Sequence, residues 1–225
     1  MGITIVSVND QPALTPLDSL EYEITEDVPG TENEGISTAD LWAGLSVTDN
    51  DADSVTGIAI RIPYTASGVW QVSSTTPVAW STFSGDANAV ASNMVLVLEI
   101  SDTWKIRFAP SLHFNGNVNL MLGAWDQTDG RASGAVTPLD LVNTATDVSP
   151  FSIDAQELVM TVYPFNDSPE LQIFDLNLGS VNEDISVESN SGMTLQSLIV
   201  PAITDVDHQA QVGLAVIQSE TPKAP

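Results

Sequence analysis

Thr48 opens the stretch TDNDADSVTGIAIRI, which runs to Ile62. Asp49, Asp51 and Asp53 stand at alternate positions, as acidic ligands do at the start of a helix–loop–helix calcium site. That loop also needs Gly at its sixth position and a bidentate Glu at its twelfth. Counted from Asp49, those positions hold Ser54 and Ile60. Helices should flank such a loop, yet Ile58, Ile60 and Ile62 alternate with Ala59 and Arg61. A period of two predicts a strand. The stretch reads as an acidic turn feeding a β-strand, and this directs the reading of the whole chain toward β structure.

The same period recurs further along the chain. In WKIRF, Trp104, Ile106 and Phe108 alternate with Lys105 and Arg107; in VNLMLGAW, Val118, Leu120, Leu122 and Ala124 alternate with other residues. Strands are predicted at 20–26, 56–62, 69–73, 94–100, 104–109, 118–125 and 156–165, separated by turns rich in Gly, Pro, Asn and Asp. Such alternation implies one face in a core and the other in water. Many short strands of this kind predict an all-β, Ig-like antiparallel β-sandwich. STADLWAGL at 37–45 breaks the pattern and fits a helical turn.

Composition narrows the function. Five Lys plus Arg face thirty Asp plus Glu among 225 residues, a formal charge of −25. A chain so acidic repels phosphate backbones and anionic membranes, which argues against nucleic-acid partners and membrane insertion. It invites hard divalent cations bound through oxygen. The absence of Cys removes disulfide frameworks and thiolate metal sites. No apolar run reaches the length of a membrane span, and no signal pattern opens the chain. It opens within a strand-like ITIVSV, so a segment of a longer protein is expected.

Self-comparison shows a repeat. VNDQPAL at Val8 returns as FNDSPEL at Phe165, and ITEDV at Ile24 as VNEDI at Val181, both at an offset of 157. TDNDADSVTGIAI aligns with TDVDHQAQVGLAV at an offset of 156, which sets Gly57 on Gly213 and Gln209 in place of Asp53. The expected organisation is the last strand of a preceding repeat at 1–8, a complete repeat at 9–165 and the truncated start of the next at 166–225. Asn-Asp-x-Pro marks the linkers, since Asn and Asp begin turns and Pro ends strand pairing.

The residues GIAIRI, GVWQVS, LVLEISDTWKIRFAPSLHFNGNVNLMLGAWDQTDG and VMTVYPFNDSPEL resemble the bacterial tandem cadherin-like repeats, related to VCBS-type repeats, of large surface and adhesin proteins. AWDQTDG and the VND-x-P linker carry the resemblance most specifically. It implies extracellular, cell-surface or secreted sandwiches strung end to end, with neighbouring repeats of the same chain as partners and calcium at or near the joints. Carried over, it implies an upper site of Asn9, Asp10, Asp49, Asp51 and Asp126, completed by a Glu from a preceding repeat. It implies a lower site of Glu26, Asp27, Asn166, Asp167, Asp205 and Asp207, completed by an Asp beyond Pro225. Asp53 and Asp129 are secondary ligands in this scheme. Calcium takes six to eight oxygens, so several acidic segments must meet to hold it.

Other features are weaker. Trp70, Trp104 and Trp125 lie in strand patterns and are expected in the core, whereas Trp42 and Trp80 lie in less regular segments that could stack on a sugar. His113 and His208 have no nucleophile or metal motif around them, and no carboxylate pair is marked out for catalysis. The expected function is a non-enzymatic, calcium-stabilised spacer or stalk in a cell-surface adhesion protein, with a protein or glycan as its target. The alternative is a carbohydrate- or other ligand-binding sandwich of a secreted protein.

Overall fold

The computed structural model describes residues 2–4, 6, 8–51, 56–84, 93–139, 149–172, 180–194, 196–197, 202–211 and 213–215. The chain divides into two compact units, Met1–Pro164 and Phe165–Pro225. It is almost all β.

In the first unit the strands are β1 (Ala13–Leu14), β2 (Leu20–Thr25), β3 (Ile36–Ser37), β4 (Val47–Thr48), β5 (Gly57–Arg61), β6 (Gly68–Ser73), β7 (Ser81–Thr82), β8 (Met94–Glu99), β9 (Lys105–Pro110), β10 (Gly116–Trp125), β11 (Val136–Pro138) and β12 (Gln156–Tyr163). A six-stranded sheet has the order β11-β8-β5-β10-β12-β2, and a four-stranded sheet the order β3-β9-β6-β7. Every pairing in these sheets is antiparallel except β12 with β2, which is parallel. The seven predicted strands all form, within two residues of their expected ends.

The two sheets form a sandwich around one core. Ile58, Ile60, Leu96, Leu98, Leu120, Leu122, Leu158 and Met160 come from the larger sheet; Trp70, Ile106 and Phe108 come from the smaller. The Trp70 and Phe108 rings pack at 5.3 Å between centroids, tilted by 54°. The helical turn foreseen at 37–45 is α1 (Thr38–Ala43), which drops Leu41 into this core. Ser37 caps it: its hydroxyl oxygen accepts from Asp40 N and its hydroxyl donates to Asp40 Oδ2.

The structure departs from the simple alternation rule at β5 and β8. Ala59, Val95 and Val97 do not face water; they bury with Trp125 and Phe151 in a second cluster on the outer face of the larger sheet. The near-continuous apolar run MVLVLE is what a strand covered on both faces requires. The strand expected at ITIVSV does not form among its described residues, and Ile3 and Val6 are exposed. An alternating segment with no strand alongside has nothing to bond its backbone.

In the second unit β13 (Glu170–Leu171) pairs antiparallel with β14 (Ile203–Thr204). The registers Glu170↔Thr204 and Leu171↔Ile203 reproduce Ala13↔Thr48 and Leu14↔Val47 at the sequence offsets of the repeat. The flanking bond also recurs, Thr15 N to Ser46 O in the first unit and Gln172 N to Ala202 O in the second. Asp27 and Asp184 occupy the same offset and both adopt left-handed φ, 57° and 63°.

Candidate metal centre

Two short pairings and one long strand assemble the upper cluster. Antiparallel register through Ala13↔Thr48, continued three residues outward, sets Asp10 opposite Asp51. Asp10 N donates to Asp51 Oδ2 at 2.8 Å, and Asp51 N donates to Asp49 Oδ1 at 2.9 Å, so the acidic turn folds back on itself. Asp126 follows the last residue of β10. Its position is pinned by Asp126 N to Pro150 O at 3.0 Å and Ser152 N to Ala124 O at 3.0 Å. Asn9 Nδ2 donates to Asp126 Oδ2 at 3.0 Å and closes the chain of contacts from Asp126 through Asn9 and Asp10 to Asp51 and Asp49.

Asp126 is only 2% exposed. Its Oδ1 accepts from Thr128 N at 2.9 Å and from Thr128 Oγ1 at 2.6 Å. Among the described residues no Lys or Arg pairs with Asp49, Asp51 or Asp126. Burying carboxylates without a counter-charge is costly. The amide of Asn9 must turn its nitrogen to the carboxylate, which leaves its oxygen without a donor. Three buried side-chain polar atoms lack a hydrogen-bond partner among the described residues, and two of them are here: Asn9 Oδ1 and Asp49 Oδ2. Both are oxygens within an all-oxygen donor set, the chemistry a hard divalent cation selects. The donor types present are those a calcium ion takes.

The lower set falls in two units, each taken by itself. In the first unit Glu26 is 2% exposed, and both its oxygens lie within reach of Asn115 Nδ2, at 3.2 and 3.4 Å. Asp27 accepts from His113 N at 3.1 Å, and its other oxygen lies 3.1 Å from His113 Nδ1. In the second unit Asp167 N donates to Asp207 Oδ2 at 2.9 Å, and Asp207 N to Asp205 Oδ1 at 3.0 Å. These bonds reproduce those of Asp10, Asp51 and Asp49. Asn166 differs from Asn9, for its Nδ2 turns to Asp167 O at 2.8 Å.

Of the secondary ligands, Asp53 lies outside the described residues. Asp129 is turned away from the cluster: Arg131 pairs with it, Arg131 N donates to it at 3.1 Å and Trp125 Nε1 at 3.3 Å. An arginine supplies the charge that a cation would bring, so Asp129 braces its own loop. Thr128 and Asn115 were not marked in the sequence, and His113 was set aside there for want of a metal motif. Asp-x-Thr in AWDQTDG is a local signal for the Thr128 contact, since Asp side chains accept from the residue two positions on. Nothing local marks Asn115, which reaches Glu26 across 89 positions.

The tryptophans divide as burial dictates. Trp70 and Trp125 are fully buried, and Trp104 is half-buried with its Nε1 donating to Glu99 Oε1 at 3.0 Å. Trp42 packs against the main core. Trp80 carries the Arg107 guanidinium over its ring at 4.3 Å, and burial lowers the Arg107 pKa. One face of Trp80 is thus closed to a sugar ring. No helix among the described residues is long and apolar enough to cross a membrane. Comparisons with protein-family models, with curated proteins and with solved structures found no match.

Proposed function

We propose that the chain is a calcium-stabilised, non-enzymatic repeat segment of an extracellular adhesion protein, a spacer or stalk of tandem sandwiches. The observation that carries this reading is the pair of buried, unpartnered oxygens, Asn9 Oδ1 and Asp49 Oδ2, within a carboxylate cluster that has no counter-charge among the described residues. The resemblance of the linker and AWD motifs to cadherin-like repeats supports the extracellular setting. Asn9, Asp49, Asp51 and Asp126 would hold the ion, with Asp10 at the rim. Bound calcium would neutralise the cluster and tie the incoming linker to the ends of β4 and β10.

Extracellular calcium modules bind with Kd of about 10⁻⁴ to 10⁻³ M, and calcium at ten times Kd stabilises by about 1.4 kcal/mol. Calorimetric titration of the full chain tests the reading. Trp125 precedes Asp126 directly, so terbium at this site should also luminesce on indole excitation. Heat uptake, a raised Tm and sensitised emission, all diminished in Asp49→Asn and Asp126→Asn, are expected. A chain with neither a heat of binding nor a shift in Tm at millimolar calcium would refute it.

A further inference from the structure

Among the described residues, strand β2 ends the six-stranded sheet and bonds on one side only, to β12. Glu26 N donates to Tyr163 O at 2.9 Å. Backbone groups alternate in direction along a strand, so those of Tyr22 and Ile24 also face β12, and those of Glu21, Glu23 and Thr25 face the open edge. Two adjoining cavities, of about 440 and 670 Å³, lie along that edge and share Glu23, Ile24, Glu32, Asn33 and Arg107. Their far wall is the 28–35 segment. Arg107 binds it to the smaller sheet through Gly30 O at 2.6 Å and Asn33 O at 2.9 Å, and Asn33 Nδ2 donates to Phe108 O at 2.7 Å.

The groove is apolar below and acidic above. Ile24, Ile36 and Met160 line the larger cavity, with Glu23, Glu32, Glu34 and Asp40 around them. Among the described residues none of these carboxylates pairs with a Lys or Arg. Arg107 lines both cavities but directs its donors to the two carbonyls and to Gln71 Oε1 at 2.8 Å, so one cation stands among four carboxylates and pairs directly with none of them. We propose that this groove receives an extended basic segment of another protein, added as a strand to the free edge of β2. Backbone bonding to Glu21, Glu23 and Thr25 would supply affinity, and alternate Lys or Arg side chains would meet the acidic rim. A second copy of this chain is a poor occupant, with five Lys plus Arg against thirty acids. Acidic residues on an edge strand also deter pairing, but such protection does not call for an open groove with an apolar floor beside the edge.

The groove shares no residue with the upper cluster, although Asp27 of the lower set lines one cavity, so the experiment is run on the full chain in calcium and again in chelator. The probes are fluorescent octapeptides of alternating Lys and Val, of alternating Glu and Val, and the Lys–Val peptide N-methylated at every second residue. The Lys–Val peptide is expected to bind in both conditions and to slow amide exchange at Glu21, Glu23 and Thr25. The N-methyl peptide and the Glu21→Lys/Glu23→Lys variant are each expected to weaken binding at least about tenfold. Absence of Lys–Val binding below about 1 mM overturns the proposal, as does equal binding of the Glu–Val or N-methyl peptide. The N-methyl comparison uses the native protein, so misfolding of the double variant would not rescue the idea.

Discussion

At the scale of single residues, Asn9 and Asp126 make opposite demands on the fold. Asp126 accepts three hydrogen bonds while buried, so Asp126→Ala strands the donors of Asn9 and Thr128. It should cost about 2–4 kcal/mol in chelator, read by urea denaturation, since each orphaned buried group costs about 1–3 kcal/mol. Asn9→Ala removes an oxygen that already lacks a donor, along with the nitrogen that donates to Asp126 Oδ2; one orphan goes as another appears, so its cost in chelator should be smaller, about 1–2 kcal/mol. Both variants should lose the calcium-induced rise in Tm. A larger loss for Asn9→Ala than for Asp126→Ala would contradict this ordering. The acidic members of this cluster were legible because Asp-rich turns and the repeated linker stand out in the chain. Their partners were less so: the Asn115–Glu26 contact depends on tertiary folding, and the Arg131 that claims Asp129 shows its effect only once the loop closes.

At the scale of elements, every described strand of five residues or more was legible, most of them by alternation, because a period of two needs several residues to register. The two-residue strands β1 and β4 left no such signal, yet their register sets Asp10 against Asp51. The layer outside β5 and β8 was equally hidden, since a strand buried on both faces reads only as a continuous apolar run. Gly57 shows how tightly that layer fits. A Cβ there would meet the Trp125 ring at 2.6 Å and Leu98 O at 2.8 Å. Gly57→Ala should therefore destabilise the first unit by about 1–3 kcal/mol through overpacking. Gly213, its counterpart in the aligned repeat, has open space around the same position, and Gly213→Ala should be near neutral. Denaturation midpoints of the two variants check this, and equal effects would refute it.

At the scale of the whole molecule, charge dominates. With −25 charges and few cations to offset them, the folded chain repels itself. Raising sodium chloride from about 10 mM to about 0.15 M in chelator should raise Tm by screening, with most of the gain at low salt, where the screening length is longest. A Tm that does not move would mean the charges are already neutralised. The parallel pairing of β2 with β12 adds a mechanical consequence. Tension enters the first unit on the β2 side and leaves through β12, pulling two neighbouring strands in opposite directions along their shared length. The six facing pairs from Leu20↔Leu158 to Thr25↔Tyr163 then bear load together in shear, instead of parting one at a time as in an unzipped hairpin. Pulled by its ends, the unit should resist more force than when cysteine handles at Met94 and Pro138, a facing pair outside the buried cluster, peel β11 from β8. A chain without native Cys allows both geometries to be measured on one molecule.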